Sequence, residues 1–116
     1  VPDPNCLYCK IVAGEIPSDK VHEDELVLAF DDINPVAPTH QLVIPRRHIA
    51  SAADLAETDA ERLGRVFSVA ASLAADADLP GSGYRVVTNV GADGGQSVDH
   101  LHFHLIGGRA MTWPPG

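Results

Sequence analysis

The spacing of apolar residues changes from one stretch of this chain to the next, and the changes divide it into elements. Residues Pro4 to Ala13 read as a short helix, stopped by Gly14 and Pro17. Apolar and β-branched residues then cluster between turn residues at Val21-His22-Glu23, Leu26 to Asp32 and His40 to Pro45, as strands do. From Thr58 the period lengthens. Thr58-Asp59-Ala60-Glu61 has the form of a capping box, and Leu63, Val66, Phe67, Ala70, Leu73, Ala74 and Ala77 follow at helical spacing, so one long helix is expected, ending before Pro80-Gly81. Two further strands are expected at Tyr84 to Val90 and His100 to Ile106. The sum is an α+β fold over residues 1–116 as one domain, an antiparallel sheet of about five strands with one long helix across it and a short N-terminal helix. No repeat, linker or low-complexity tract interrupts it.

The last strand carries more than a core. In His100-Leu101-His102-Phe103-His104-Leu105-Ile106 histidine alternates with large apolar residues, so an extended chain puts three imidazoles on one face and Leu101, Phe103 and Leu105 on the other. Burying a row of imidazoles gains little as packing and requires a partner for each ring nitrogen. Chemistry is the better reason. Imidazole, with an ordinary pKa of about 6.5, serves near neutrality as nucleophile, base, acid or metal ligand. A single ion shared by all three is excluded by reach, since residues i, i+2 and i+4 span about 13 Å while metal–nitrogen bonds are about 2 Å.

Charge narrows the partners. A net charge of −8 with only eight Lys and Arg, scattered along the chain, argues against a general nucleic-acid or membrane-surface binder, so a small anion has to be met locally. No apolar run is long enough for a membrane span and no charged-then-apolar leader is visible, and a cytoplasmic compartment is expected because it fits every reading of the two cysteines considered below. A local anion site is at hand in Val90-Gly91-Ala92-Asp93-Gly94-Gly95-Gln96-Ser97, glycine-rich and ending in an amide and a hydroxyl just before the histidines. Backbone N–H groups in such a loop can approach a phosphate with no Cβ in the way. Joined to a histidine strand, it suggests phosphoryl or nucleotidyl transfer through histidine.

These motifs together resemble the histidine triad (HIT) family, whose signature is His-x-His-x-His followed by two apolar residues. Phe30-Asp31-Asp32-Ile33-Asn34-Pro35, Ala37-Pro38-Thr39-His40, Val43-Ile44-Pro45-Arg46-Arg47-His48, Gly94-Gly95-Gln96-Ser97 and Met111-Thr112-Trp113-Pro114-Pro115-Gly116 extend the resemblance over nearly the whole chain. The Ala-Pro-Thr-His segment and the Trp-Pro-Pro-Gly end are more similar to the Hint branch, the nucleoside phosphoramidate hydrolases, than to the fragile-histidine-triad dinucleoside polyphosphate hydrolases or the galactose-1-phosphate uridylyltransferases.

The resemblance implies roles for particular residues. His102 would be the nucleophile, with its other ring nitrogen donating to a backbone carbonyl, and His104 would protonate the leaving nitrogen or contact the phosphate. His40 would be a supporting relay residue. Ser97, Gln96, the Gly95 backbone and Asn89 would hold phosphate oxygens, Asp32 the ribose hydroxyls, and Leu7, Tyr8, Ile11, Phe30 and Ile33 the base. Trp113 would reach a partner's substrate pocket across a two-fold homodimer. The implied activity is hydrolysis of purine nucleoside phosphoramidates, without an organic cofactor. Two rivals stand beside it: a dinucleoside polyphosphate hydrolase, and a nucleotide- or zinc-binding interaction module with weak turnover.

Cys6-Leu7-Tyr8-Cys9 is the second constellation. Read alone, Cys-x-x-Cys is half a zinc site, a reduced pair or, less favourably without a βαβ context, a redox pair. The resemblance completes a structural zinc site with His48 and His100, in which case His100 would brace the strand instead of relaying protons, leaving the catalytic work to His102 and His104.

Overall fold

In the computed structural model, which describes residues 2–116, alternation along two central strands decides the architecture. The elements are α1 (Leu7–Val12), β1 (Lys20–Glu23), β2 (Val27–Asp31), β3 (Thr39–Pro45), α2 (Ala60–Asp76), β4 (Tyr84–Val87) and β5 (Phe103–Gly107). The strands form one antiparallel sheet in the order β1-β2-β3-β5-β4. Val27 and Ala29 of β2, Val43 of β3 and Phe103 and Leu105 of β5 point to one face, where Val66, Val69, Ala70, Leu73 and Ala74 of α2 close a core. Each Val or Leu buried there contributes about 1.5–3 kcal/mol. Leu28, Phe30, Leu42 and Ile44 point to the opposite face and meet Cys6, Tyr8, Cys9 and Ile11 from α1. One sheet therefore has two cores, and the short helix covers part of the face that the long one leaves open.

Three sequence expectations shift. The long helix has no capping box at Thr58; a 3-10 turn, Glu57–Asp59, precedes α2, and the Asp59 carboxylate reaches back to the Ala56 N–H at 3.0 Å and takes Arg62 at 3.2 Å. Phe67 and Ala77, expected inward, are exposed, and Val69 takes a buried place instead, although Phe67 still sets its ring edge on Phe103. The last two strands are shorter than expected. β4 stops at Val87 because the next residue, Thr88, donates its hydroxyl to the His102 carbonyl at 2.8 Å, and Leu101 N–H turns away to Ile49 O at 2.6 Å. Consequently only His104 of the triad lies on β5, while His100 and His102 run up to it outside the ladder.

The turn between β1 and β2 is fastened to α2 by Asp24. Burial opposes its ionisation, yet hydrogen bonds from His22, the Val27 and Leu26 amides and Arg65 hold its carboxyl well below the usual range. Among the described residues no helix is long and apolar enough to cross a membrane.

Candidate functional site

The polar side of the alternating tract faces the smaller core, and α1 and β3 meet it there. His102 is 2 % exposed, its ring edge-on to Tyr8 at 5.2 Å between centroids and 5.1 Å from that of His104. Its Nδ1 lies 2.7 Å from the backbone carbonyl of His100. A carbonyl only accepts, so Nδ1 carries a proton, and in the neutral ring the lone pair is on Nε2.

His104 is fixed from the side. Leu42 stands opposite it in the ladder, which puts His40 of β3 on the neighbouring diagonal, and His40 Nε2 lies 2.8 Å from His104 Nδ1. The Val36 N–H donates to His40 Nδ1 at 3.1 Å, so the proton of neutral His40 sits on Nε2. That proton faces His104 Nδ1, and also Asp32 Oδ2 at 3.3 Å. Burial, then the neighbouring His102 and His40, push His104 down to about 4, with Asp32 opposing, so its imidazole is neutral at pH 7.

Beside these rings opens a cavity of about 550 Å³ lined by Leu7, Tyr8, Ile11, Phe30, Asp32, Ile33, Ser97 and His104, and also by Ile16, Pro17, Ser18, Asp19, Asp31, Asn34 and Leu42. The walls are apolar at the α1 end and carry the Asp19, Asp31 and Asp32 carboxylates and the Ser18 and Ser97 hydroxyls elsewhere, an arrangement suited to a flat apolar group joined to a polar, hydroxyl-bearing one. Burial, with Asp32 and Cys6 adding, pushes the Tyr8 phenol up to about 12, so it stays neutral. Asp32 also accepts the Asn34 N–H at 2.8 Å, which shapes the turn after β2.

A second centre lies behind the first. Cys6 caps α1 and accepts the Cys9 N–H on its sulfur at 3.3 Å, so one helical turn brings both thiols together. The turn after β3 brings His48, and the approach to β5 brings His100. Cys6 Sγ to His100 Nδ1 is 3.4 Å, Cys9 Sγ to His100 Nδ1 is 3.6 Å and Cys9 Sγ to His48 Nδ1 is 3.3 Å. Four ligand atoms bound tetrahedrally at about 2.0–2.3 Å would lie about 3.3–3.8 Å apart, so the set fits a metal ion of zinc's preferences. His100 Nε2–H donates to Pro45 O at 2.8 Å, which turns the Nδ1 lone pair to the sulfurs. Burial pushes the His100 imidazole down to about 4 and the Cys6 thiol up, so the ring is in its ligating form, and a bound cation would favour the ionised Cys6 thiol.

The profile of the HIT domain matches residues 13–111. The chain belongs to the HIT family. It is similar to a 14 kDa zinc-binding protein of Zea mays, 50% identical over 116 residues that cover 98% of this chain and 90% of the relative. It is 45% identical to the purine nucleoside phosphoramidase of Escherichia coli (strain K12) over 105 residues, 90% of this chain and 88% of that one. Among solved structures, a HIT family hydrolase from Legionella pneumophila Philadelphia 1 superposes with a TM-score of 0.94 at 54% identity, covering 97% of this chain and all of that one.

Not every residue expected at the HIT site stands in it within the single subunit. Gln96 has its amide committed to backbone: Oε1 accepts the Gly91 N–H at 3.0 Å, and Nε2 donates to Ala50 O at 2.8 Å and Val98 O at 3.0 Å. It shapes the glycine loop, where a phosphate contact was expected. At Gly94 that loop folds so tightly that a Cβ would come within 2.4 Å of the Val90 carbonyl oxygen. Asn89 is half-buried just past β4, and Gly95 is exposed in the loop. Ile33, at 89 % exposed, sits at the rim of the cavity, and Trp113, at 83 % exposed, stands away from it in the tail. Ile16 to Asp19, in contrast, form a wall that no motif marked, because it belongs to an irregular stretch between α1 and β1.

Proposed function

We propose that this HIT protein is a nucleotidyl hydrolase that cleaves purine nucleoside 5'-phosphoramidates through a nucleotidyl-His102 intermediate. The observation that carries the reading is the 2.7 Å bond from His102 Nδ1 to the His100 carbonyl, which selects the tautomer whose Nε2 holds the attacking lone pair. Nε2 forms a bond to phosphorus as the phosphorus–nitrogen bond of the substrate breaks, and the departing nitrogen takes a proton from solvent, which the proton lost by water in the second step replaces. Water then cleaves the phosphorus–imidazole bond, gives up a proton and restores His102. The neutral His104 suits a fixed donor to a phosphoryl oxygen or to the departing nitrogen. Ser97 and the amides around Gly95 are the further donors to phosphate, with Asn89 beside them. Asp32 is the acceptor for the ribose hydroxyls, and Leu7, Tyr8, Ile11, Phe30 and Ile33 are the walls for the base. The similarity to the Escherichia coli phosphoramidase supports the substrate class.

Cys6, Cys9, His48 and His100 are proposed as a structural zinc site, a reading supported by their spacing and by the similarity to the maize zinc-binding protein. When bound, zinc would join α1 to the approach of β5 by coordination, and the reaction itself would pass through the chain's own residues.

Purified protein assayed on adenosine and guanosine phosphoramidates and on a diadenosine polyphosphate tests the activity. The phosphoramidates should turn over faster; the reverse order would move the protein to the polyphosphate hydrolases, and binding without turnover of either would make it an interaction module.

Assembly is the remaining part of the proposal. A largely exposed Trp113 in a proline-rich tail and the edge strands β1 and β4 suit a two-fold homodimer in which the tail approaches the partner's cavity. Sedimentation should report a dimer, and deletion of residues after Arg109 should change leaving-group preference more than it changes nucleotidylation of His102. A monodisperse monomer at micromolar concentration would remove the dimer and the role of Trp113 in trans.

A further inference from the structure

The segment between β2 and β3 controls His104, yet very little packing holds it. Asn34, Pro35, Val36 and Pro38 are all exposed, Val36 at 55 %, so no buried side chain fixes the peptide whose N–H meets His40. Something else must. The turn after β5 supplies two contacts. Arg109 Nε donates to the Val36 carbonyl at 2.9 Å, and Gly108, at a φ of 93°, lies so close to the loop that a Cβ there would sit 2.9 Å from Pro38 Cβ.

A continuous chain of donors follows. Arg109 Nε–H points to Val36 O, Val36 N–H to His40 Nδ1 at 3.1 Å, and His40 Nε2–H to His104 Nδ1 at 2.8 Å. The Arg109 link, made to the carbonyl of the adjoining peptide unit, holds Val36 in place, and the Val36 N–H link sets the sense of the imidazole link. A His40 Nδ1 that accepts from an amide cannot hold a proton, so Nε2 holds it. The His104 Nδ1 that accepts from His40 is likewise bare, which leaves the proton of His104 on its own Nε2. If Val36 swung away, His40 could exchange tautomers, and His104 would lose its fixed donor. His102 and Asp32 are the other titratable groups that act on His104, and among the described residues only His40 is hydrogen-bonded to its ring.

From this geometry we infer that Arg109, with Gly108, is a positioning residue for His104, acting through the Val36 backbone and His40. The inference rests on the proposed role of His104 as a donor at the reacting phosphorus. Arg109 is not itself at the cavity; it makes an exposed surface turn into part of the site's tautomer control.

The test compares Arg109→Ala, Arg109→Lys and Gly108→Ala in the full chain, by steady-state kinetics on a phosphoramidate and by imidazole nitrogen NMR of His104. Arg109→Ala and Gly108→Ala should lower kcat about tenfold, a part of the roughly 10²–10⁴ that a positioned proton-handling group supplies, with KM unchanged. The His104 nitrogen resonances should move from a single Nε2–H form towards a mixture. Arg109→Lys, which keeps a cationic donor for the Val36 carbonyl, should recover most of both. A His104 spectrum unchanged in both Arg109→Ala and Gly108→Ala would overturn the inference, as would a raised KM at constant kcat, which would make Arg109 a substrate contact. His104→Asn separates the two levels: full turnover in that variant would defeat the proposed role of His104, whereas reduced turnover with unmoved tautomers in the Arg109 and Gly108 variants would defeat the clamp alone.

Discussion

Replacing His102 with Asn should reduce phosphoramidate turnover by about three orders of magnitude or more while nucleotide affinity changes by no more than about threefold. The asymmetry follows from where the residue stands. His102 is buried and contributes no wall to the cavity, so it gives the ligand little ground-state contact. Asn can still donate to the His100 carbonyl and fill part of the volume, which keeps the fold as the explanation of last resort. What Asn lacks is the second ring nitrogen with its lone pair. A variant that turned over at near-normal rate would mean that the phosphorus never bonds to this side chain, and trapping of a nucleotidylated unaltered protein after rapid quench would then fail as well.

The second large effect should come from Cys9→Ser. Protein expressed with ample metal should carry close to one zinc per chain, and the variant should lose it together with roughly 10 °C or more of thermal stability, because binding energy gained only in the folded state is folding energy. Cys9 is the sharpest choice, since its sulfur lies near both His48 and His100. Serine preserves the volume and the helix, so loss of an ordinary buried thiol would cost far less. A chelator should bring the unaltered protein down to the melting temperature of the variant and leave the variant itself where it is. Metal-replete protein without zinc would reduce Cys6 and Cys9 to a reduced pair.

Elements with a strong period were legible in the chain. Residues 27–31 and 39–45 read as strands because each has a core on both sides and so carries a short, nearly continuous apolar run between turn residues, and α2 announces itself through its apolar stripe. Leu101, Phe103 and Leu105 went to the long-helix core as their alternation required. The strand boundary did not follow from the same alternation, because an extended chain alternates whether or not a neighbour pairs with it. The contacts that end the ladder, Thr88 to His102 and Leu101 to Ile49, join residues far apart in sequence. The partners of Gln96 were hidden for a related reason: a polar side chain in a glycine loop looks free until the carbonyls of Ala50 and Val98 are known to be within its reach. His40 could be named from its motif, but its protonation is dictated by an amide in an exposed turn, and no periodicity records that.

The division of the sheet into two cores has a consequence for divergence among proteins of this shape. None of the residues in the α2 core lines the cavity, whereas Tyr8, Ile11, Phe30 and Leu42 belong to the smaller core and to the cavity wall at once. Mutations can therefore remodel the ligand's surroundings in residues 7–19 and 30–34 while the larger core keeps the chain folded. The shape of the cavity can drift cheaply under such a plan, and the placing of His40 and His104 cannot, since both hang from strands that the two cores share.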